Sequence, residues 1–80
     1  MSSNYPPLTC KKVKRGLKKL GFISTPTKGT SHEHWKKIKN GILYKVTIDC
    51  PKSPFSQDLI KSMSSQAGVS KKEFYKACLA

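Results

Sequence analysis

Acid is what this chain has least of. Only four of its 80 residues are Asp or Glu, against sixteen Lys or Arg, which leaves a formal charge of +12 at pH 7. Self-repulsion on that scale is usually retained because it helps to bind something anionic, most often nucleic acid. Long apolar runs are missing as well. Nothing approaches the ~18 residues of a membrane-spanning helix, so no membrane partner is expected. The first eight residues carry neither a basic nor an apolar block, so none of them reads as a secretory signal. Cysteine is sparse: Cys10, Cys50 and Cys78 are odd in number, lack CxxC spacing and fall at otherwise apolar positions. Reduced, buried thiols in a cytoplasmic protein are expected in preference to a disulfide. There is no internal repeat and no low-complexity segment.

Eighty residues make one small domain, of a size that buries only ~60% of its unfolded surface. Residues 1–8 read as a flexible N-terminal lead in which Pro6-Pro7 delays the first helix, and 9–80 as a single domain. Thr9 is placed as an N-cap. Behind it Cys10, Val13, Leu17 and Leu20 recur at helical spacing. Lys11, Lys12, Lys14, Arg15, Lys18 and Lys19 fill the other faces, and Gly21 stands where a left-handed cap belongs. That basic surface is either a solvated face or a phosphate-contacting one.

Strands are expected over 22–27, 31–38 and 42–50, with Asn40-Gly41 as a type I′ hairpin turn. If that turn is a two-residue loop, Lys39 pairs with Ile42 and the rest of the register follows. Trp35 then faces Val46 and Lys37 faces Tyr44 on an inward side. His34 faces Thr47, Lys36 faces Lys45 and His32 faces Asp49 on the outward side. Trp35 and Tyr44 therefore read as core rather than as stacking platforms for bases. Ser56 caps a second helix with the stripe Leu59, Ile60, Met63 and Ala67, ending at Gly68. Ser70 and Glu73 form a capping box, with Val69 and Phe74 as its staple, opening a short helix over 71–78. The class is α+β: a helix, a three-stranded antiparallel sheet, then a helix and a short C-terminal helix, with the helices on one face.

The stretch Lys28-Gly29-Thr30-Ser31-His32-Glu33-His34-Trp35 holds both histidines and the only tryptophan. Histidine titrates near neutral pH. Placed after a tight turn on a basic domain, it suggests proton transfer on a polyanion. Two histidines on one strand face beside Asp49 would also suit a metal, but structural zinc wants four ligands and usually several thiolates, so no metal is expected.

Three motifs resemble the HicA toxin family, small mRNA interferases of toxin–antitoxin modules. A Lys-rich helix closes in Leu20-Gly21-Phe22. The stretch from Lys28 to Trp35 is similar to the family's Gly-Ser-His signature followed by an aromatic. Ser65-Gln66-Ala67-Gly68-Val69-Ser70, then Glu73-Phe74, is close to its Gln-Ala-Gly-hydrophobic ending. The likeness spans 13–74. Two departures are visible: Thr30 stands between Gly29 and Ser31, and the third strand ends Thr47-Ile48-Asp49-Cys50-Pro51 without the further histidine the family often carries.

The resemblance implies a fold like the double-stranded-RNA-binding domain (dsRBD-like), cleavage of mRNA that arrests translation, and neutralisation by a HicB-type antitoxin. By position His32 matches the family's catalytic residue. The expected chemistry is metal-independent and needs no cofactor. His32 acts as general acid or base, Ser31 and Asp49 support it, and Lys28, Gly29, Thr30, His34, Lys36 and Lys45 contact RNA. Lys11, Lys14, Arg15 and Lys18 on the first helix add phosphate contacts. The rival readings are a non-catalytic RNA-binding module of the same fold, and a basic domain whose charge docks an acidic protein.

Overall fold

In a computed structural model the described residues are 6–25, 29 and 32–79. The elements run α1 (Cys10–Lys19), β1 (Ile23–Thr25), β2 (His32–Lys39), β3 (Ile42–Asp49), α2 (Gln57–Ala67) and α3 (Lys71–Leu79), with a 3-10 turn at Cys50–Lys52. The α+β order expected from the sequence is the order observed. β1 is shorter than its expected span, and Pro26 and Thr27 lie outside the described residues. β3 stops one residue early because Pro51, which has no N–H to extend a strand ladder, sits at the start of the 3-10 turn.

Local chemistry sets each boundary. The Thr9 hydroxyl accepts from Lys12 N at 3.3 Å and starts α1. The helix closes with Phe22 N donating to Leu17 O and Gly21 N to Lys18 O, a Schellman motif that needs the positive φ of 94° at Gly21. Lys37, turned inward by the strand register, donates from Nζ to Leu20 O at 2.6 Å. Its ammonium thus sits at the negative end of α1 and 5.7 Å from the Phe22 ring centroid. Ser56 caps α2 and Ser70 caps α3, each hydroxyl accepting a backbone N–H three residues on.

The strands form one antiparallel sheet in the order β1-β2-β3. Asn40 and Gly41 have φ of 52° and 77°, the paired left-handed conformation of a type I′ turn. The pairing is the one the turn dictates, from Lys39 with Ile42 to His32 with Asp49. Trp35, Val46 and Ile48 point inward and are buried with Val13, Leu17, Ile60, Phe74 and Cys78. The opposite face is open.

Two expectations need correction. Leu8, expected within a flexible lead, is fully buried and bridges Phe55, whose N–H donates to Leu8 O at 2.9 Å. Tyr75 Oη donates to Pro6 O at 2.7 Å, so Pro6 is tied to α3 as Leu8 is to the core. The cysteines also differ. Cys10 and Cys50 are joined as a disulfide, with Cα atoms 5.2 Å apart across 40 residues of sequence. The fold brings the start of α1 beside the end of β3, a proximity that cysteine spacing does not encode. Reduced, buried thiol describes Cys78 alone, whose pKa burial pushes up to about 11.

Cys78 lies where α3 crosses α1. A Cβ added to Gly16 would come within 2.9 Å of the Cys78 backbone. Gly16→Ala gains helix propensity, but it forces two backbones apart. Overpacking of this kind typically costs ~1–3 kcal/mol against ~1 gained. Net destabilisation is expected in a denaturant melt, whereas an unchanged midpoint would mean that the two helices do not meet at Gly16. Thiol titration gives a second check. Without reductant, one reactive thiol should appear, and only after unfolding; three would disprove the Cys10–Cys50 link.

Candidate nucleic-acid interface

Strand alternation sorts the candidate residues. Odd positions of β2 (Glu33, Trp35, Lys37) face the helices, and even ones face outward. His32, His34 and Lys36 therefore stand in a row on the open face, each against a partner on β3: Asp49, Thr47 and Lys45. His32 Nε2 lies 3.6 Å from Asp49 Oδ2. The imidazole is 50% exposed while the carboxylate is 22% exposed, so the acid is the more sheltered of the pair. Lys52 Nζ approaches the same carboxylate oxygen at 4.0 Å.

His34 Nδ1 and Thr47 Oγ1 are 3.2 Å apart, and Thr25 Oγ1 donates to His34 O at 2.7 Å, locking this residue to both neighbouring strands. Partial burial, then repulsion from Lys45, Lys36 and His32, holds the His34 imidazole below its ordinary pKa of 6.5. It is accordingly neutral at pH 7, a hydrogen-bonding group rather than a cation. Lys36 and Lys45 are exposed and directly opposed. Like charges in that arrangement repel, and a bound anion would relieve the repulsion.

Gly29 is exposed with a φ of 76°. Lys28, Thr30 and Ser31 lie outside the described residues. Lys11, Lys14, Arg15 and Lys18 share one surface of α1. That surface is not the His32 face. Lys14 pairs at 2.7 Å with Glu33, an inward-facing residue of β2, so α1 lies on the covered side of the sheet. Among the described residues the candidate cations thus fall into two separate groups, Lys36 and Lys45 on one side of the sheet and the α1 residues on the other.

Beyond Lys45 the open face turns apolar. Ile38 (74% exposed), Ile23 (72%) and Leu43 (58%) cluster near the hairpin around a hollow of about 500 Å³. At the other end of the face, His32 and Asp49 wall a groove of about 200 Å³ whose far side is α2. Gln66 closes it by accepting from Thr47 N at 3.1 Å. Gln66 and Lys52 join the site here without having been candidates for it. For Gln66 a signal existed, since it follows Leu59 and Met63 at helical spacing on the rim of the apolar stripe. Lys52 carried none.

Searches for family models, curated proteins and solved structures gave no match to this chain.

The electrostatics of His34 can be checked directly. In NMR titration its ring signals should move below pH 6.5. A histidine with a lowered folded-state pKa leaves the folded chain holding fewer protons than the unfolded one. Its contribution is therefore present above the unfolded pKa and lost as pH falls through that value and below. His34→Gln should flatten the fall in Tm between neutral and acidic pH, and parallel curves for the two proteins would place that pH dependence elsewhere.

Proposed function

We propose that this chain is a metal-independent endoribonuclease of the HicA type, the toxin of a type II toxin–antitoxin module. In this reading it cleaves mRNA and arrests translation. The observation that carries it is the His32–Asp49 pair, a half-exposed imidazole beside a sheltered carboxylate on an open, lysine-bearing face. RNA brings its own nucleophile. What it lacks is a group to take the 2′-OH proton, a group to protonate the departing 5′-oxygen, and positive charge around the phosphoryl oxygens.

His32 supplies proton transfer in either direction, a contribution worth roughly 10²–10⁴-fold. Asp49 orients the ring and stabilises the imidazolium as it forms. Lys36 and Lys45 hold the phosphate, with Lys28 and Ser31 as further donors. His32 takes the 2′-OH proton as the 2′-oxygen attacks phosphorus, and the imidazolium so formed returns that proton to the 5′-oxygen as its bond to phosphorus breaks. The products are a 2′,3′-cyclic phosphate and a 5′-OH. The reaction draws on no redox or carrier chemistry, so it needs no cofactor.

An mRNA substrate implies the cytoplasm. A reducing cytoplasm would open the Cys10–Cys50 link, and the turn-set register and helix packing would then hold the fold. Among the described residues no helix is long and apolar enough to cross a membrane. The exposed patch of Ile23, Ile38 and Leu43 beside Lys36 suits an acidic protein partner with apolar contacts, as a HicB-type antitoxin would be, one that shields the His32 face.

A second reading draws on α1. The stripe of Lys11, Lys14, Arg15 and Lys18 has a use in phosphate binding but none in proton transfer, and a non-catalytic RNA-binding module would need nothing more. Both readings predict affinity that falls steeply with salt. They separate on His32. Incubated with an mRNA transcript in EDTA, the wild-type chain should cut it and His32→Ala should not, with RNA affinity kept within a few-fold. Cleavage by His32→Ala at the wild-type rate would rule out the mechanism, and bound but uncut RNA with both proteins would favour the binding module.

A further inference from the structure

The groove between the end of β3 and α2 has a composition that proton transfer alone does not require. His32 and Asp49 form one wall. Its floor is apolar, from Phe55 and Met63, both buried. The rim is polar, from Lys52, Ser62 and Gln66. Drug-sized ligands occupy cavities of about 300–1,000 Å³, so a groove of about 200 Å³ admits one flat ring system and little else. A phosphate held at His32 would bring the base of its own nucleotide to this opening, because His32 belongs to both.

The rim also has a polarity. Gln66 Oε1 is committed to Thr47 N–H, which fixes the orientation of the amide. What Gln66 offers the groove is therefore its NH₂, a donor. Lys52 brings an ammonium, and Ser62 a hydroxyl that can donate. The carboxylate in the wall, Asp49, already faces His32 and Lys52. A donor-rich rim pairs with a base edge that presents acceptors. Guanine offers O6 and N7, and uracil offers ring carbonyls, whereas adenine and cytosine put an amino donor in the corresponding position. Single-stranded RNA is commonly read in this way, by splayed bases seated against apolar side chains and hydrogen-bonded along their edges.

We infer that the β3–α2 groove is a base-recognition subsite selecting a keto base, guanine or uracil, at the nucleotide whose phosphate meets His32. This rests on the reading of the His32 face as an RNA site, and it adds which RNA positions that face engages. Gln66 and Lys52 set the specificity, and Phe55 and Met63 seat the ring.

The test is an NMR titration of the ¹⁵N-labelled chain of 80 residues with the four nucleoside 3′-monophosphates at millimolar concentration. The 3′-GMP and 3′-UMP should shift the Gln66 side-chain amide and bind roughly tenfold more tightly than 3′-AMP and 3′-CMP, as one good base-edge pairing provides. Gln66→Glu keeps an oxygen for Thr47 N–H but removes the donor. Ser62→Phe, at an exposed helix position, fills the mouth of the groove. Each should erase the ratio between bases. Equal binding of all four nucleotides, shifts confined to the α1 lysines, or an unmoved Gln66 amide would each overturn the proposal. Cleavage is scored separately. Selective binding without any RNA cutting would defeat the nuclease reading and leave the subsite standing. RNA cutting beside an unresponsive groove would do the reverse.

Discussion

Everything on the open face depends on a two-residue turn. With φ positive at both Asn40 and Gly41, β2 and β3 meet at one register, and a slip of one residue would exchange the faces of a whole strand. Trp35 would leave the core, and His32 would turn toward the helices. The apolar set Trp35, Val46 and Ile48 holds the same register from inside. Turn chemistry and burial therefore reinforce a single pairing, and the juxtaposition of His32 with Asp49 follows from it, 17 residues apart in sequence.

The charges are arranged around that sheet so as to be used twice. Lys37 turns inward and spends its ammonium on the end of α1, a structural use. Lys36 and Lys45 are left opposed on the outer face, where like charges repel. The strong excess of base thus has a local meaning that the net value hides.

Much of this was legible in the residues. Helix caps at Thr9, Ser56 and Ser70, the turn, the strand faces and the full hairpin pairing follow from short-range rules of propensity, capping and alternation. What escaped was tertiary. That Leu8 is a core residue depends on Phe55 and on the lock of Tyr75 to Pro6, contacts between parts of the chain far apart in sequence. The Cys10–Cys50 link has the same origin. Within the site, the pairing of His32 with Asp49 could be read from the hairpin, but the groove could not. It is formed by α2 against β3, and no periodicity tells where a helix two elements away comes to rest.

Gln66 has one more effect. By accepting from Thr47 N, it places a helix side chain on the outer border of β3, and α2 lies along that border. Among the described residues the sheet then has a single border able to template another strand: β1, three residues long, or about 10 Å at the usual strand rise. A stretch that short offers a poor seed for fibrillar stacking. A small domain can therefore show apolar side chains on one face of its sheet without inviting sheet-to-sheet growth.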